Sequence, residues 1–211
     1  MTERGRDGAV RSSGVRVPVV GVVVVGVPPG GVDQQPVLCD VSGQTLVRRA
    51  MDCLVTSGRV DRLAVLFGET WRPDVAPGAI LVVHDPAHPL VSGAWIDQVL
   101  DVLMDDPDLD GVVPVRPVTD TLKRVGPDGV VEGTADRGSF HVVGSPQAYR
   151  QAALVRPGVL GPDGTLPAGP GALAARVRSA GGVLRVVPAL GEVIAVVDAD
   201  DLILAEALLR A

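Results

Sequence analysis

Asp85 follows an apolar run, Ala79–His84, that reads as a buried strand. A carboxylate at a strand end can reach Mg²⁺ or a ribose hydroxyl, although an Asp before Pro86 can equally be a backbone cap. Two histidines flank it. His84 and His88 could carry partial positive charge below about pH 6.5, or could be satisfied structural residues. Other runs of buried type stop at Gly26, at Arg116–Thr121 and at Ala195–Asp198. In open parallel sheets, ligands bind beyond such carboxyl ends. The stretch Gly26-Val27-Pro28-Pro29-Gly30-Gly31 has glycines that could shape an anion nest. Its two prolines remove backbone donors, and Asp33 opposes an anion. Cys39 and Cys53 have no zinc spacing, make no disulfide framework, and read as reduced, buried small hydrophobes.

These positions need a frame, and the composition supports one. The chain has 211 residues and 46% hydrophobic content with only 2% aromatics, so its core is built from Val, Leu and Ala. Such a core favours buried strands and covering helices. Strands are expected at Val17–Val25, Leu63–Phe67, Ala79–His84, Gly111–Val115, Val183–Val187 and Val193–Val197. Helices are expected at 45–57, 92–104, 149–154, 172–180 and 199–210. Strands alternating with helices predict a three-layer αβα fold with a mostly parallel central sheet. Gly126-Pro127-Asp128-Gly129 is a turn signal between two extended limbs within 119–143. Residues 1–15, rich in Arg, Gly, Ser and Asp, read as a flexible tail before a single domain over 16–211.

The net charge of −6 and pI near 5.0 argue against a general nucleic-acid binder, which needs a basic face. No apolar run reaches membrane-spanning length, and the first residues lack a signal-peptide core. The expected compartment is the cytoplasm.

An ordered set of segments resembles the 2-C-methyl-D-erythritol 4-phosphate cytidylyltransferase family. Leu81-Val82-Val83-His84-Asp85-Pro86-Ala87-His88-Pro89-Leu90-Val91 is similar to the family's L-V-H-D-A-A-R-P-L-V. Val118-Thr119-Asp120-Thr121-Leu122-Lys123-Arg124 is similar to V-x-D-T-x-K-R. Asp136-Arg137 and Ser145-Pro146-Gln147 match D-R and T-P-Q, and Asp200–Leu209 matches a closing E-D-L-x-L-A-E-x-L-L. The resemblance implies homodimers with a nucleotidyltransferase (Rossmann-like) fold on the isoprenoid (methylerythritol phosphate) pathway, with 118–143 as a protruding β-arm that makes the dimer. These condense CTP with methylerythritol phosphate, with Mg²⁺, and release pyrophosphate. It also implies that Asp85 is the site carboxylate and possible metal ligand. Thr121, Arg137 and Ser145 would hold the methylerythritol phosphate, Arg137 reaching across the dimer. For Arg137 a surface ion pair is the competing reading.

The resemblance is lopsided. The family's first loop carries Arg and Lys, whereas no Arg or Lys lies between Val17 and Val47 here. Gly26, Pro28, Pro29, Gly30 and Gly31 are therefore degenerate positions. Only the eleven residues Gly68–Gly78 stand where the family has a base-recognition helix. His88 replaces an arginine and Ala195 a lysine. The expectation is a homologue whose cytidylyl transfer is absent or very weak, a pseudoenzyme. The alternative is a non-catalytic binding or regulatory partner of an active relative.

Overall fold

The computed structural model describes residues 16–25, 38–67, 75–161, 164–167 and 170–210. The expected tail 1–15, the loop Gly26–Pro36 and most of the Gly68–Gly78 connection lie outside them.

Parallel β-strands with valine on both faces dominate the centre. β1 (Val19–Val25) lies between β4 (Arg62–Phe67) and β5 (Ile80–His84), parallel to both. Val19, Val22, Val23 and Val25 are all nearly inaccessible, as expected of a strand covered on two sides. β6 (Gly111–Pro117) runs parallel to β11 (Leu184–Pro188) at the sheet's edge. Between β5 and β6 lies β10 (Gln147–Arg150), antiparallel to both. Among the described residues the order is β11-β6-β10-β5-β1-β4, and β9 (His141–Val143) pairs with the far end of β6.

Two cores cover the sheet. One face carries α1 (Leu46–Thr56), α2 (Gly93–Asp105) and α5 (Ala199–Leu209), with Leu46, Leu54, Ile96 and Leu100 packed on Val23 and Val82. The other carries Tyr149, α3 (Gln151–Leu154) and α4 (Pro170–Ser179) over Val22, Leu81 and Val113. Helix ends follow local chemistry. The Thr45 hydroxyl accepts the Arg48 N–H, and Asp198 and Asp201 form a reciprocal capping box at α5. At the end of α4, Gly181 takes φ +80° and Gly182 N–H returns to Val177 O. The first loop region ends in a small hairpin of β2 (Asp40–Val41) and β3 (Gln44–Thr45). The arm is a second hairpin, β7 (Lys123–Val125) against β8 (Val131–Thr134), closed by the expected Gly126–Gly129 turn.

Three expectations need correction. The helix begins at Gln151 rather than Tyr149, because Tyr149 pairs with Gly111 and Leu81 inside the sheet. Gly111 is required there: a Cβ would lie 2.5 Å from the Tyr149 ring. Val193–Val197 is extended but joins no strand ladder. Instead its Val196 N–H donates to Ala87 O at 2.8 Å, and Val193 and Val196 are buried. Cys39 is exposed and Cys53 half-buried; both are free thiols, and burial raises Cys53 to about 11.

Candidate functional site

The carboxyl ends of β1, β5 and β6 point the same way, and β10 enters the sheet beside the end of β5. That register brings the residue two before β10, Ser145, against the residues that close β5. The Ser145 hydroxyl accepts the Asp85 N–H at 2.9 Å and lies 2.8 Å from His84 Nδ1. Ser145 and His84 are both 1% exposed. Burial first, and the nearby His88 second, lower His84 to about 3, so its ring is neutral at physiological pH. A neutral Nδ1 can accept the Ser145 O–H, leaving the serine oxygen free to accept from Asp85. The hydroxyl is thus committed twice to the protein itself.

Asp85 is half-buried, and its Oδ1 accepts the Ala87 N–H at 2.9 Å while Asp85 O accepts the His88 N–H at 3.1 Å. The residue is therefore both a turn former and a carboxylate at the strand end. Burial raises its pKa above the ordinary Asp value, against the opposing pull of the Ala87 N–H and of His88. Oδ2 makes no hydrogen bond among the described residues. One such oxygen fits the way Mg²⁺ is usually held, through one or two carboxylates with phosphates and water completing the octahedron. The described residues contain no group of three or more His, Cys, Asp or Glu placed for a metal.

His88 is buried beside the Ile194 backbone, and burial lowers its pKa against the opposing pulls of Asp85 and that backbone. Together with the Val196–Ala87 bond, this ties the extended segment 193–197 to the turn after β5. Ala195 sits exposed on that segment, next to Ile194.

The arm holds the other candidates apart. Thr121 and Arg137 line a shallow cleft of about 380 Å³ with Leu122, Thr134, Ala135 and Asp136. Arg137 is exposed, and its Nη1 donates to Thr119 O at 2.5 Å, with no ion pair to Asp136. Asp136 instead caps the following turn through Gly138 N–H. The structure thus brings Asp85, Ser145, His84 and His88 together, and places Thr121 with Arg137 in a second group sharing no hydrogen bond with the first. Gly26, Pro28, Pro29, Gly30 and Gly31 lie outside the described residues. The sequence reading treated His84 as a flanking residue; its link to Ser145 depends on strand order, which no local pattern carries.

Comparison with known proteins follows from this geometry. The family model described as 2-C-methyl-D-erythritol 4-phosphate cytidylyltransferase matches residues 73–211. The Streptomyces coelicolor cytidylyltransferase of that name is 31% identical over 204 residues, covering 90% of this chain and 68% of its own. A Rhodospirillum rubrum bifunctional IspD/IspF enzyme is 40% identical over 101 residues, 48% of this chain and 25% of its own. The chain thus spans between a quarter and about two thirds of the length of these relatives. The solved Thermus thermophilus cytidylyltransferase superposes with TM-score 0.65 at 23% identity, covering 93% of this chain and 100% of that one. The Francisella tularensis enzyme gives 0.68 at 16%, covering 89% and 98%.

Proposed function

The chain belongs to the 2-C-methyl-D-erythritol 4-phosphate cytidylyltransferase family, and from that premise we propose that it retains phosphomonoester binding and the dimer arm but has lost effective cytidylyl transfer. The observation that carries this reading is His88. Where the family resemblance expects a guanidinium, this chain has a buried ring beside the Ile194 backbone, with a pKa that burial lowers. A buried imidazole whose pKa is lowered cannot supply the fixed charge that a phosphate needs.

Charge arithmetic supports the same reading. The site's protein-side task is positioning and charge neutralisation, because the substrate phosphate itself attacks the α-phosphorus of CTP. Removing a single preorganised donor costs on the order of 10²–10³ in rate. Here the arginine position holds His88, the lysine position holds Ala195, and the residues from Val17 to Val47 include no cation to cradle a triphosphate. Any residual Mg²⁺ would rest on Asp85.

Thr121 and Arg137 are exposed and keep the hydroxyl and guanidinium suited to a phosphate monoester. On this reading they serve a site on a second copy through the 118–143 arm, in a homodimer in the cytoplasm. Val125, Val130, Val131 and Phe140 stand exposed along that arm, which favours a partner covering it. The same feature favours the second reading, a regulatory partner lending Arg137 to an active relative. Melting temperature distinguishes the ligands: a ligand that prefers the native state must raise it. Methylerythritol phosphate is expected to raise it and CTP with Mg²⁺ is not. A clear shift with millimolar CTP would contradict the proposal.

A further inference from the structure

Arginine side chains that are half-buried in this fold are supplied with oxygen acceptors. Arg150 donates to the carbonyls of Leu109, Leu103 and Asp106 at 2.8, 2.7 and 3.1 Å. Arg156 forms a two-pronged pair with Asp110 at 3.0 and 2.6 Å. Arg59 bridges Asp97 and Asp101. Arg116 departs from this pattern. Its Nε, like that of Arg49, is buried with no hydrogen-bond partner; but Arg49 Nη2 donates to Val41 O at 3.4 Å, whereas the Arg116 side chain makes no hydrogen bond or ion pair among the described residues.

Its place in the sheet gives the departure meaning. Arg116 is the penultimate residue of β6, opposite Val142 of β9, and Gly144 N–H to Pro114 O holds the strand end beside it. By the two-residue alternation of a strand it shares a face with Val112, in the core that also holds Val82, while His84 shares the face of Val82 on β5. Arg116 and His84 thus mark the carboxyl ends of two strands on one face of the sheet, with Ser145 and β10 between those strands.

We infer that Arg116 is an anion-binding residue of this site, its guanidinium, without a partner among the described residues, placed to receive a phosphate oxygen of a bound phosphomonoester. The inference rests on the phosphomonoester reading above and adds a residue to it. An unsatisfied buried donor destabilises the free protein, and a planar fork of N–H groups is matched best by phosphate or carboxylate oxygens. The ligand completes what the described residues leave incomplete. Arg116 also supplies a fixed charge at the carboxyl end of β6, whereas His88 supplies none at the turn after β5.

Isothermal titration with methylerythritol phosphate, and with unphosphorylated methylerythritol as control, tests this on the wild-type protein, Arg116→Gln and Arg116→Lys. Arg116→Gln is expected to weaken phosphomonoester binding at least tenfold without lowering the melting temperature of the free protein. Arg116→Lys, which keeps charge but loses the fork, is expected to weaken it at least threefold. It decides the matter should the glutamine variant not fold. Wild-type binding that persists undiminished in the folded variants overturns the role of Arg116 and leaves the phosphomonoester reading standing. Absence of binding to the wild-type protein at millimolar ligand overturns both.

Discussion

The Ser145 hydroxyl accepts the backbone N–H of Asp85 at 2.9 Å, so the start of the antiparallel strand β10 is fastened to the end of β5 at the residue whose carboxylate we propose for the site. A hydroxyl so engaged orients Asp85 rather than waiting for a ligand. His84 Nδ1 meets the same oxygen and completes the buried link.

Removing that oxygen is expected to be costly. Ser145→Ala leaves the Asp85 N–H and His84 Nδ1 unpaired, at roughly 1–3 kcal/mol for each buried group. Ser145→Thr keeps the hydroxyl and is expected to fold with less loss. Urea denaturation of the two variants checks this, and a Ser145→Ala change below about 0.5 kcal/mol, as at an unimportant surface site, would refute it.

His84 makes stability depend on pH with a definite sign. Its pKa falls from 6.5 to about 3 on folding, so the unfolded chain binds the extra proton. The contribution is complete above pH 6.5 and is lost as pH falls toward 3, at up to about 1.4 kcal/mol per pH unit. His88 is depressed in the same direction. His84→Gln is expected to remove about one proton's worth of slope between pH 6 and 4.5, measured by denaturation at several pH values. An unchanged slope would show that His84 does not titrate this way.

His88 anchors the segment 193–197. His88→Ala removes a buried ring beside Ile194 and leaves a void, at roughly 2 kcal/mol. Amide exchange is expected to quicken at Val196, whose N–H donates to Ala87 O in the tethered turn. Exchange at Val196 that matches the wild type would contradict the tether.

The exposed arm residues lead to a prediction about assembly. Val131 and Phe140 are 60% and 48% exposed in the single chain. Replacing both with Asp is expected to convert a dimer to monomer in analytical ultracentrifugation, with melting of the core little changed. A wild-type protein that is monomeric at tens of micromolar would remove the dimer proposal.

The main layers of the fold were legible because valine-rich runs are continuous and helical spacing in 46–56 and 93–105 is regular. Tyr149 was not, because a four-residue antiparallel strand followed at once by a four-residue helix leaves no period to count. Val193–Val197 has strand composition, yet pairing depends on a free neighbour, and its hydrogen bond to Ala87 and the anchoring at His88 come from tertiary contact. Asp85 was legible from its position at a strand end. Arg116 was legible only as the edge of a range; its unpaired Nε is a property of the packed sheet.

The central claim is that cytidylyl transfer has been lost while the family fold remains. Pyrophosphate release from CTP, Mg²⁺ and methylerythritol phosphate tests it most directly. The account predicts no release above the blank without protein at micromolar chain. Sustained turnover that increases with protein concentration would contradict it.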